Sequence, residues 1–263
     1  MLIYGINPVL EALRARRVTA LRVASRADDR VRGIERLAAE QGVSIRRVGA
    51  DELDRAAGGP RNRHQGVIAE VGDSASCDVE DLIAGAAGAL LIVVLDGIED
   101  PHNVGAILRT VDAAGGDGVV RQSRHAAPLG GATAKASAGA VAHVKIAEVV
   151  NIARSLEALK DAGVWTVGLA GDATKRYDEV DYTLPTALVV GAEGTGLRRL
   201  VRERCDWLVS IPMRGHVQSL NVSVATGIVL FEALRQRRQT AEPGAGGLTG
   251  KSGPPTGKVE PSS

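Results

Sequence analysis

Residues 90–110 read LLIVVLDGIEDPHNVGAILRT, and this stretch decides the fold class. Residues 90–95 are continuously apolar, which is typical of a parallel strand buried on both faces. A polar turn follows, and residues 104–114 then show the apolar spacing of a helix. A buried strand, a polar turn and a helix in this order predict one βα unit of a parallel α/β sheet.

The same alternation continues along the chain. Strand-like runs are predicted at residues 118–120, 164–169, 187–190 and 207–211. Helical patterns are predicted at residues 151–162, with Asn151 as the N-cap, and at 197–204 and 222–238. We therefore predict an α/β fold with a mainly parallel sheet and helices on both faces.

Residues 1–75 form a smaller predicted α/β unit, with strands at 21–24, 43–45 and 67–69 and helices ending at residues 15 and 41. Asn7 is the predicted N-cap of the first helix, with Pro8 at the first helical position. The unit holds 13 arginines and no lysine against 10 acidic residues. These arginines are either solvated helix ends and loops or a patch for an RNA backbone, and the residues alone leave both open. Three groups stand out: Arg14 with Arg16 and Arg17, Arg46 with Arg47, and Arg61 with Arg63 and His64.

Composition divides the rest of the chain. Residues 76–88, which are small and acidic, are predicted to be a linker with one short helix. Residues 89–240 form the larger predicted domain. Residues 241–263 are rich in Gly, Pro, Ser and Thr, and we predict a disordered tail because they have little apolar surface to bury.

Overall composition excludes several classes of protein. Hydrophobic residues at 44% and charged residues at 24% exclude wholesale disorder, and 2% aromatic residues argue against binding by base stacking. The net charge of +1 provides no global field for a polyanion, so a nucleic-acid site must be a local patch. Two cysteines provide neither a disulfide framework nor a metal cluster. No apolar run reaches the roughly 18 residues of a membrane span, and the start lacks signal-peptide features, so we expect a cytoplasmic protein without a metal.

Polar residues crowd the turn behind the first buried strand. Asn103 lies at the predicted helix start and Arg109 about two turns later. A helix N-terminus of this kind is a natural anion site. Arg109 is either a surface residue or, if buried, the partner of a carboxylate or phosphate.

Two later segments have the same character. Residues 189–197 read VVGAEGTGL, with Gly191 and Glu193 directly after a strand; their glycine spacing fits neither a dinucleotide fingerprint nor a P-loop. Residues 211–225 read IPMRGHVQSLNVSVA. Ser219 and Asn221 stand beside the start of the last helix and Ser223 in its first turns, and capping explains only one of the three.

Together, the three segments resemble the motifs of the SpoU (TrmH) family of RNA ribose 2′-O-methyltransferases. N-x-G-x-x-x-R corresponds to Asn103 through Arg109, G-x-E-x-x-G to residues 191–196, and I-P-M…S-L-N-V-S-x-A to residues 211–225. Residues 3–13, IYGINPVLEAL, and 63–67, RHQGV, are similar to the N-terminal domain of the branch that contains bacterial 23S ribosomal RNA guanosine methyltransferases. The resemblance covers residues 2–238.

The resemblance implies a SPOUT-type fold, in which the mainly parallel sheet carries a trefoil knot. It implies S-adenosylmethionine as cofactor, held largely by backbone groups of the loops around Gly191, Ile211 and Leu220. It also implies that residues 1–75 are a ribosomal-protein-like RNA-binding domain. RNA, most simply 23S ribosomal RNA, and a second copy of the chain are the expected partners, with neither membrane nor DNA.

The resemblance further implies that the catalytic residues are Asn103, Arg109, Glu193, Ser219 and Asn221. A guanidinium is effectively never deprotonated, so we interpret Arg109 as gripping an RNA phosphate and stabilising the developing oxyanion rather than as a base. In this interpretation an RNA phosphate oxygen takes the proton. Glu193 is predicted to hold Arg109 or Asn103, and Ser219 and Asn221 to orient the ribose and the arginine.

Other readings stay open at this point. An RNA-binding protein without catalysis belongs to a different class, and the intact motif residues argue against it. A nicotinamide enzyme also uses an α/β sheet, but its fingerprint is missing. Within the family, a transfer RNA guanosine or a ribosomal adenosine are alternative targets, and the motif residues specify the chemistry rather than the nucleotide.

Overall fold

The computed structural model describes residues 1–59, 62–72 and 77–241. These residues form two sheets, one of four strands and one of seven. None of the helices in these ranges has the length and apolar character that crossing a membrane requires. Arg61 and the predicted tail beyond residue 241 lie outside the described residues.

The first sheet is mixed, in the order β1-β4-β2-β3. Strand β2 pairs with β3 in parallel, and β4 pairs antiparallel with both β1 and β2. The predicted strands and helices of this unit are confirmed, and β1 and α3 are additions. The elements are β1 (Leu2–Tyr4), α1 (Ile6–Arg14), β2 (Val18–Ala24), α2 (Asp29–Glu40), β3 (Ser44–Val48), α3 (Ala50–Ala56) and β4 (Val67–Val71).

The prediction that Asn7 caps the first helix is wrong. Helix α1 begins at Ile6, and its N-cap is Gly5, whose φ of 95° lets the chain turn directly from β1 into the helix. The amide N–H of Ile6 donates to Gln65 Oε1 at 3.0 Å. A side chain from a distant loop therefore satisfies this free amide in place of Asn7.

The second sheet follows the order β7-β6-β5-β10-β8-β11-β9, and every recorded pairing between its strands is parallel. The strands are β5 (Leu91–Asp96), β6 (Gly118–Gln122), β7 (Ile146–Val149), β8 (Trp165–Leu169), β9 (Lys175–Arg176), β10 (Thr186–Gly191) and β11 (Trp207–Ser210). The helices are α4 (Val79–Ala84), α5 (Pro101–Ala113), α6 (Gly131–Ala136), α7 (Ile152–Asp161), α8 (Arg199–Arg204) and α9 (Val222–Ala241). The predicted α/β class with a mainly parallel sheet is confirmed.

Strand β5 shows why helices cover both faces. Val93 and its alternate neighbours join a core with Ile107 of α5 and Val229 of α9. Val94 points the other way and joins a core with Leu82 of α4 and residues of α7 and α8. All six residues of β5 are buried, as a strand between two helical layers requires.

The two sheets share one continuous apolar core that includes side chains of α1, β2, β5 and α5, and α6 contacts both α1 and α5. Polar contacts join the same units. Arg17 donates from Nη1 to the carbonyl oxygens of Val141 and Ala142, both at 3.2 Å, and His143 Nε2 lies 3.0 Å from Glu11 Oε2. Arg17 therefore contacts the second unit, which corrects its grouping with Arg14 and Arg16 as one surface cluster.

Candidate functional site

The three polar segments of the sequence meet at the carboxyl ends of the central strands. Strands β5 and β10 are neighbours, with Asp96 directly opposite Gly191. Asn221, just before α9, donates from Nδ2 to Asn103 Oδ1 at 2.9 Å and to Glu193 Oε1 at 2.6 Å. One residue from each segment thus belongs to a single hydrogen-bonded group, which we call the polar cluster (Asn103, Glu193 and Asn221).

Asn221 is also the cap of the last helix. Its Oδ1 accepts hydrogen bonds from the backbone N–H of Ser223 at 2.9 Å and from Ser223 Oγ at 2.5 Å. Capping holds the carbonyl end of the amide toward α9, so the NH₂ end points at Asn103 and Glu193. The start of α9 therefore orients the polar cluster, and Ser223 supports that orientation.

Asn103 lies inside α5 rather than at its start. The helix begins at Pro101, and its cap is Asp100, whose Oδ1 accepts from the N–H of His102 at 3.0 Å. A carboxylate already caps this N-terminus, and its charge disfavours a second anion at the same place. Asn103 is 6% exposed, and its amide faces the polar cluster from the first helical turn.

Gly105 of the first segment has a packing role. A Cβ there would lie 2.5 Å from the Cβ of Ala136 and 2.7 Å from the carbonyl oxygen of Thr133. Only glycine permits α5 and α6 to approach this closely. The glycine thus fixes the position of α5, and with it that of Asn103.

The glycine-rich loop after β10 folds back on itself. A Cβ on Gly191 would lie 2.1 Å from the carbonyl carbon of Gly196, and the N–H of Gly196 donates to the oxygen of Ala192 at 2.8 Å. Gly194 and Gly196 have φ values of 79° and 67°, and a Cβ on either would meet nothing within 4 Å. Gly191 is therefore required by the loop itself, while open space lies beside the Cα atoms of Gly194 and Gly196.

Glu193 extends from this loop and contacts Asn221. Its predicted partners were Arg109 or Asn103, and this is corrected because the amide of Asn221 lies between Glu193 and Asn103. Glu193 is exposed, so its second oxygen faces solvent or a ligand.

Asp96, the last residue of β5, is a site residue that the sequence reasoning missed. Its side chain is fully buried and accepts from the backbone N–H of Arg198 at 2.8 Å and from Arg198 Nε at 2.6 Å; Arg198 Nη2 also contacts it. The pair ties the far end of the glycine-rich loop to β5. The available signal was an acid directly after a continuous apolar run, because a buried carboxylate requires a partner.

Arg109 and Ser219 are not part of the polar cluster. Arg109 is exposed, and its guanidinium makes no hydrogen bond or ion pair with any residue of the described ranges. It follows Asn103 by six positions, which places it ~9 Å further along the helix axis and about a third of a turn around it. Ser219 is likewise exposed and unpaired within those ranges, on the loop where Ile211 and Leu220 are half-buried.

The two cysteines have no chemical role near the site. Burial raises the pKa of Cys205 to about 12, and Cys205 Sγ donates to the carbonyl oxygen of Val201. Burial also raises the pKa of Cys77. Both thiols are therefore protonated at neutral pH and are poor nucleophiles.

Two family models match the chain in succession. The SpoU rRNA Methylase family matches residues 90–231. A family described as RNA 2′-O ribose methyltransferase substrate binding matches residues 2–75.

Similar proteins match over nearly the whole chain. The 23S rRNA (guanosine-2′-O-)-methyltransferase RlmB of Pseudomonas syringae pv. tomato is 44% identical over 247 residues, which cover 92% of this chain and 98% of that protein. The protein of the same name from Vibrio cholerae is 46% identical over 242 residues, covering 90% and 97%.

Solved structures agree with these matches. The SpoU methyltransferase AviRb from Streptomyces viridochromogenes, in complex with the cofactor AdoMet, has a TM-score of 0.77 and 28% identity over 91% of both chains. The AdoMet-bound rRNA methyltransferase from Sinorhizobium meliloti has a TM-score of 0.74 and 27% identity, covering 89% of this chain and 86% of that one.

Proposed function

The chain belongs to the SpoU rRNA methylase family, and on this premise we propose that it methylates the ribose 2′-hydroxyl of a guanosine in 23S ribosomal RNA. The observation that carries the proposal is the polar cluster, in which Asn221 joins Asn103 and Glu193 at the carboxyl edge of the parallel sheet. Ligands of open α/β sheets bind at this edge. The names of relatives that match nearly the whole chain support the choice of nucleotide.

The cofactor is S-adenosylmethionine, and the glycine-rich loop fits it. Gly194 is exposed and a Cβ there would meet nothing within 4 Å, which leaves room for a ligand to approach the backbone at this point of the loop. Half-buried Ile211 and Leu220 provide apolar surface on the neighbouring loop. Gly191 acts on the cofactor through the fold of its loop, since its Cβ position is filled by Gly196.

The chain's own residues activate a weak nucleophile. When bound, S-adenosylmethionine supplies a methyl group on a sulfonium, and the ribose hydroxyl must be held in line with it and lose its proton. The guanidinium of Arg109 has hydrogen-bond donors that no described residue accepts, so it binds an RNA phosphate and stabilises the developing oxyanion. An RNA phosphate oxygen accepts the proton of the hydroxyl. Asn103, Glu193 and Asn221 position the ribose, and Ser219 adds a hydroxyl from the third loop.

A homodimer completes the site. Arg109 lies on a different side of α5 from Asn103, so a second subunit is the simplest source of an arginine for each polar cluster. Helix α9, which packs along α5, exposes Val224 and Phe231, 52% and 49% accessible, two turns apart on one face. Large apolar side chains exposed in this way suit a contact between subunits.

The loops of the site form part of a trefoil knot. Two features of the strand order support this. Strand β10 lies between β5 and β8, and β11 lies between β8 and β9. Each of these two strands comes later in the chain than both of its neighbours in the sheet. The chain then returns in α9 to pack along α5.

We propose the division that the composition predicts: an RNA-binding domain at residues 1–75, a linker at 76–88 and the methyltransferase domain at 89–240, with α4 of the linker packed into the core of the second unit. The match of residues 2–75 to a substrate-binding family supports RNA binding by the first unit. Its exposed arginines provide contacts to RNA phosphates.

The test is to map 2′-O-methylation in ribosomal and transfer RNA from a strain that lacks the gene, with the gene restored as control. We expect one 23S guanosine to lose its methyl group, and the purified protein with S-adenosylmethionine to restore it. Loss at a transfer RNA guanosine would replace the substrate and keep the chemistry. Unchanged methylation of both RNAs, with no transfer by the purified protein, would overturn the proposal.

A further inference from the structure

Residues 130–143, which contain α6 and the turn after it, lie in the seam between the two units, and we call them the seam segment. Two of its glycines meet the first unit where no side chain would fit. A Cβ on Gly130 would lie 2.6 Å from the carbonyl oxygen of Leu2, and a Cβ on Gly139 would lie 2.5 Å from the Cβ of Glu11. The first unit therefore rests directly on the seam segment at both points.

Further contacts hold the same two surfaces together. The ring of Tyr4, a buried residue of the first unit, lies 3.4 Å from the position of a Cβ on Gly131. Lys135 Nζ donates to the carbonyl oxygen of Arg63 at 3.5 Å, and Arg17 donates to two carbonyl groups of the turn after α6. The seam is thus closely packed, apolar and hydrogen-bonded, and an interface of this kind holds two units in one orientation.

The opposite side of the seam segment is fixed as well. Helix α6 packs against α5 so closely that a Cβ on Gly105 would lie 2.5 Å from the Cβ of Ala136. Helix α6 therefore cannot retreat from the first unit without displacing α5, which carries Asn103 and Arg109.

The contact on the first unit cannot yield by itself either. Leu2 belongs to β1, where it lies opposite Glu70 of β4, and β4 pairs in turn with β2. A displacement of Leu2 therefore moves the four-stranded sheet as a whole. The seam segment is wedged between this sheet and the helix of the catalytic residues.

Resting on the proposed function, we infer that the seam segment is a rigid spacer that selects the methylated nucleotide by distance. Contacts to phosphates position a nucleic acid without reading its bases. The polar cluster specifies the chemistry rather than the nucleotide. A fixed distance between the first unit and the polar cluster supplies the selection, because only one ribose of an RNA held by the first unit then reaches the cluster. Gly130 and Gly139 are positioning residues in this arrangement.

The experiment uses Gly130→Ala in the full-length protein. Gly130 has a φ of −82° and a ψ of −174°, an extended conformation that alanine also adopts, so the substitution acts through the contact with Leu2. The distance of 2.6 Å must open to the 3.4 Å of an ordinary contact or beyond. A displacement of about 1 Å can cost about 10²-fold in rate even when it originates far from the chemistry.

We expect the single-turnover rate at the guanosine that the wild type methylates to fall by about tenfold or more with saturating RNA. Mapping of the product RNA should show methyl groups at neighbouring nucleotides. The affinities for RNA and S-adenosylmethionine, and the salt dependence of RNA binding, should stay within a few-fold of wild type, because the exposed arginines and the glycine-rich loop are unchanged. A merely structural role would lower the folded fraction without moving the methyl group.

The matched control is Gly49→Ala. Gly49 is also a glycine N-cap with extended backbone, at the start of α3, and a Cβ there would meet nothing within 4 Å. Its rate and methylation pattern should equal those of the wild type. Arg17→Ala loosens the seam by removing a donor instead of adding a clash. The same shift in methylation pattern is expected there, which keeps the test decisive if Gly130→Ala does not fold.

Two results overturn the inference alone. One is an unchanged methylation pattern and rate per folded molecule in whichever of the two variants folds. The other is a loss of RNA affinity with a shallower salt dependence in Gly130→Ala, which identifies the seam segment as a surface that binds RNA phosphates. Absence of methylation of any RNA by the wild-type protein overturns the proposed function and this inference with it.

Discussion

The two ends of the seven-stranded sheet use their polar side chains differently. At the amino ends of the strands, Arg237 of α9 donates to the carbonyl oxygens of Tyr182 at 2.8 Å, Ala89 at 2.6 Å, and Leu90 and Leu184 at 3.1 Å. At the carboxyl ends and on α5, which starts there, Arg109 has no partner within the described ranges. Arg237 is therefore fully paired, and Arg198 at the carboxyl ends is paired with Asp96, whereas Arg109 keeps free donors.

This difference separates stability from function. A donor that is already paired stabilises the fold and has little left to offer a ligand. An unpaired hydrogen-bond donor contributes little to folding and is available to bind a ligand. Binding sites are therefore rich in polar groups that have no partner within the fold. The contrast predicts opposite phenotypes for two arginines of one domain.

The largest expected effect is that of Arg109→Ala on turnover. Removing a donor to a developing oxyanion typically costs about 10²–10³ in rate. Cofactor affinity and the midpoint of unfolding should stay near wild type, since the exposed side chain makes no hydrogen bond or ion pair with the described residues. Arg109→Lys should restore little, because lysine lacks the planar fork. Single-turnover methylation beside calorimetry of S-adenosylmethionine binding separates these quantities, and turnover within a few-fold of wild type would make Arg109 structural.

Arg237→Ala is the matched opposite. The substitution leaves buried carbonyl groups without donors, so we expect a loss of about 1–3 kcal/mol in the free energy of unfolding. Activity per folded molecule should be retained. An activity loss that exceeds the loss of folded protein would break the comparison between the two ends of the sheet.

The next prediction concerns the affinity for S-adenosylmethionine. In Gly191→Ala the new Cβ meets the backbone of Gly196, so the loop must open and its main-chain groups move away from the ligand. We expect S-adenosylmethionine affinity to fall by about tenfold or more, since each 1.4 kcal/mol lost is tenfold. Gly171→Ala is the control, because a Cβ there meets nothing within 4 Å. Equal affinities of the two variants would show that the loop tolerates the methyl group.

Local patterns predicted most elements of the larger unit. The apolar run after residue 89 is β5, and Asn151 caps α7 as expected, with Oδ1 accepting from the N–H of Arg154. Helix α6 was missed because its sequence, GATAKA, has no apolar stripe, and its packing depends on the small surface at Gly105. Asn7 failed as a cap because Gln65, which is distant in the chain, supplies the acceptor.

The sequence predicted which residues form the site but not which of them contact one another. Motif spacing identified Asn103, Glu193 and Asn221, but the bond from Asn221 to Asn103 spans 118 positions and depends on the strand order. The partner of Asp96 was unpredictable for the same reason, because only the fold shows that Arg198 lies beside this buried carboxylate. Sequence patterns identify candidate side chains, and the tertiary structure shows which of them are already hydrogen-bonded within the fold.

A smaller effect extends the comparison to the first unit. Arg14 and Arg16 are exposed, whereas Arg17 donates to two carbonyl groups of the second unit. Neutralising Arg14 and Arg16 together should weaken RNA binding and lower the slope of log affinity against log salt by about 2, one for each phosphate contact. Arg17→Ala should instead lower stability. A salt slope unchanged in the double variant would identify both residues as solvated helix ends.

The smallest expected effect is on acid stability at the amino ends of the strands. Asp206 accepts from the N–H of Thr166 at 2.9 Å and from Thr166 Oγ1 at 2.7 Å, and its Oδ1 lies 2.7 Å from Lys160 Nζ. Burial acts to raise the pKa of Asp206, but the hydrogen bonds from Lys160 and Thr166 outweigh burial and hold that pKa below its ordinary value.

A carboxyl whose pKa is lower in the folded state stabilises the fold above its unfolded pKa of about 4, and this contribution disappears as the pH falls through the folded pKa. Asp206→Asn should therefore lower the free energy of unfolding at neutral pH by about 1 kcal/mol, the scale of one hydrogen bond. The difference from wild type should shrink as the pH falls below about 4, because protonation removes the same charge from the wild-type side chain. Methylation at neutral pH should not change. Urea unfolding of both proteins between about pH 7 and pH 3 measures this, and a constant difference would show that Asp206 acts as an uncharged acceptor.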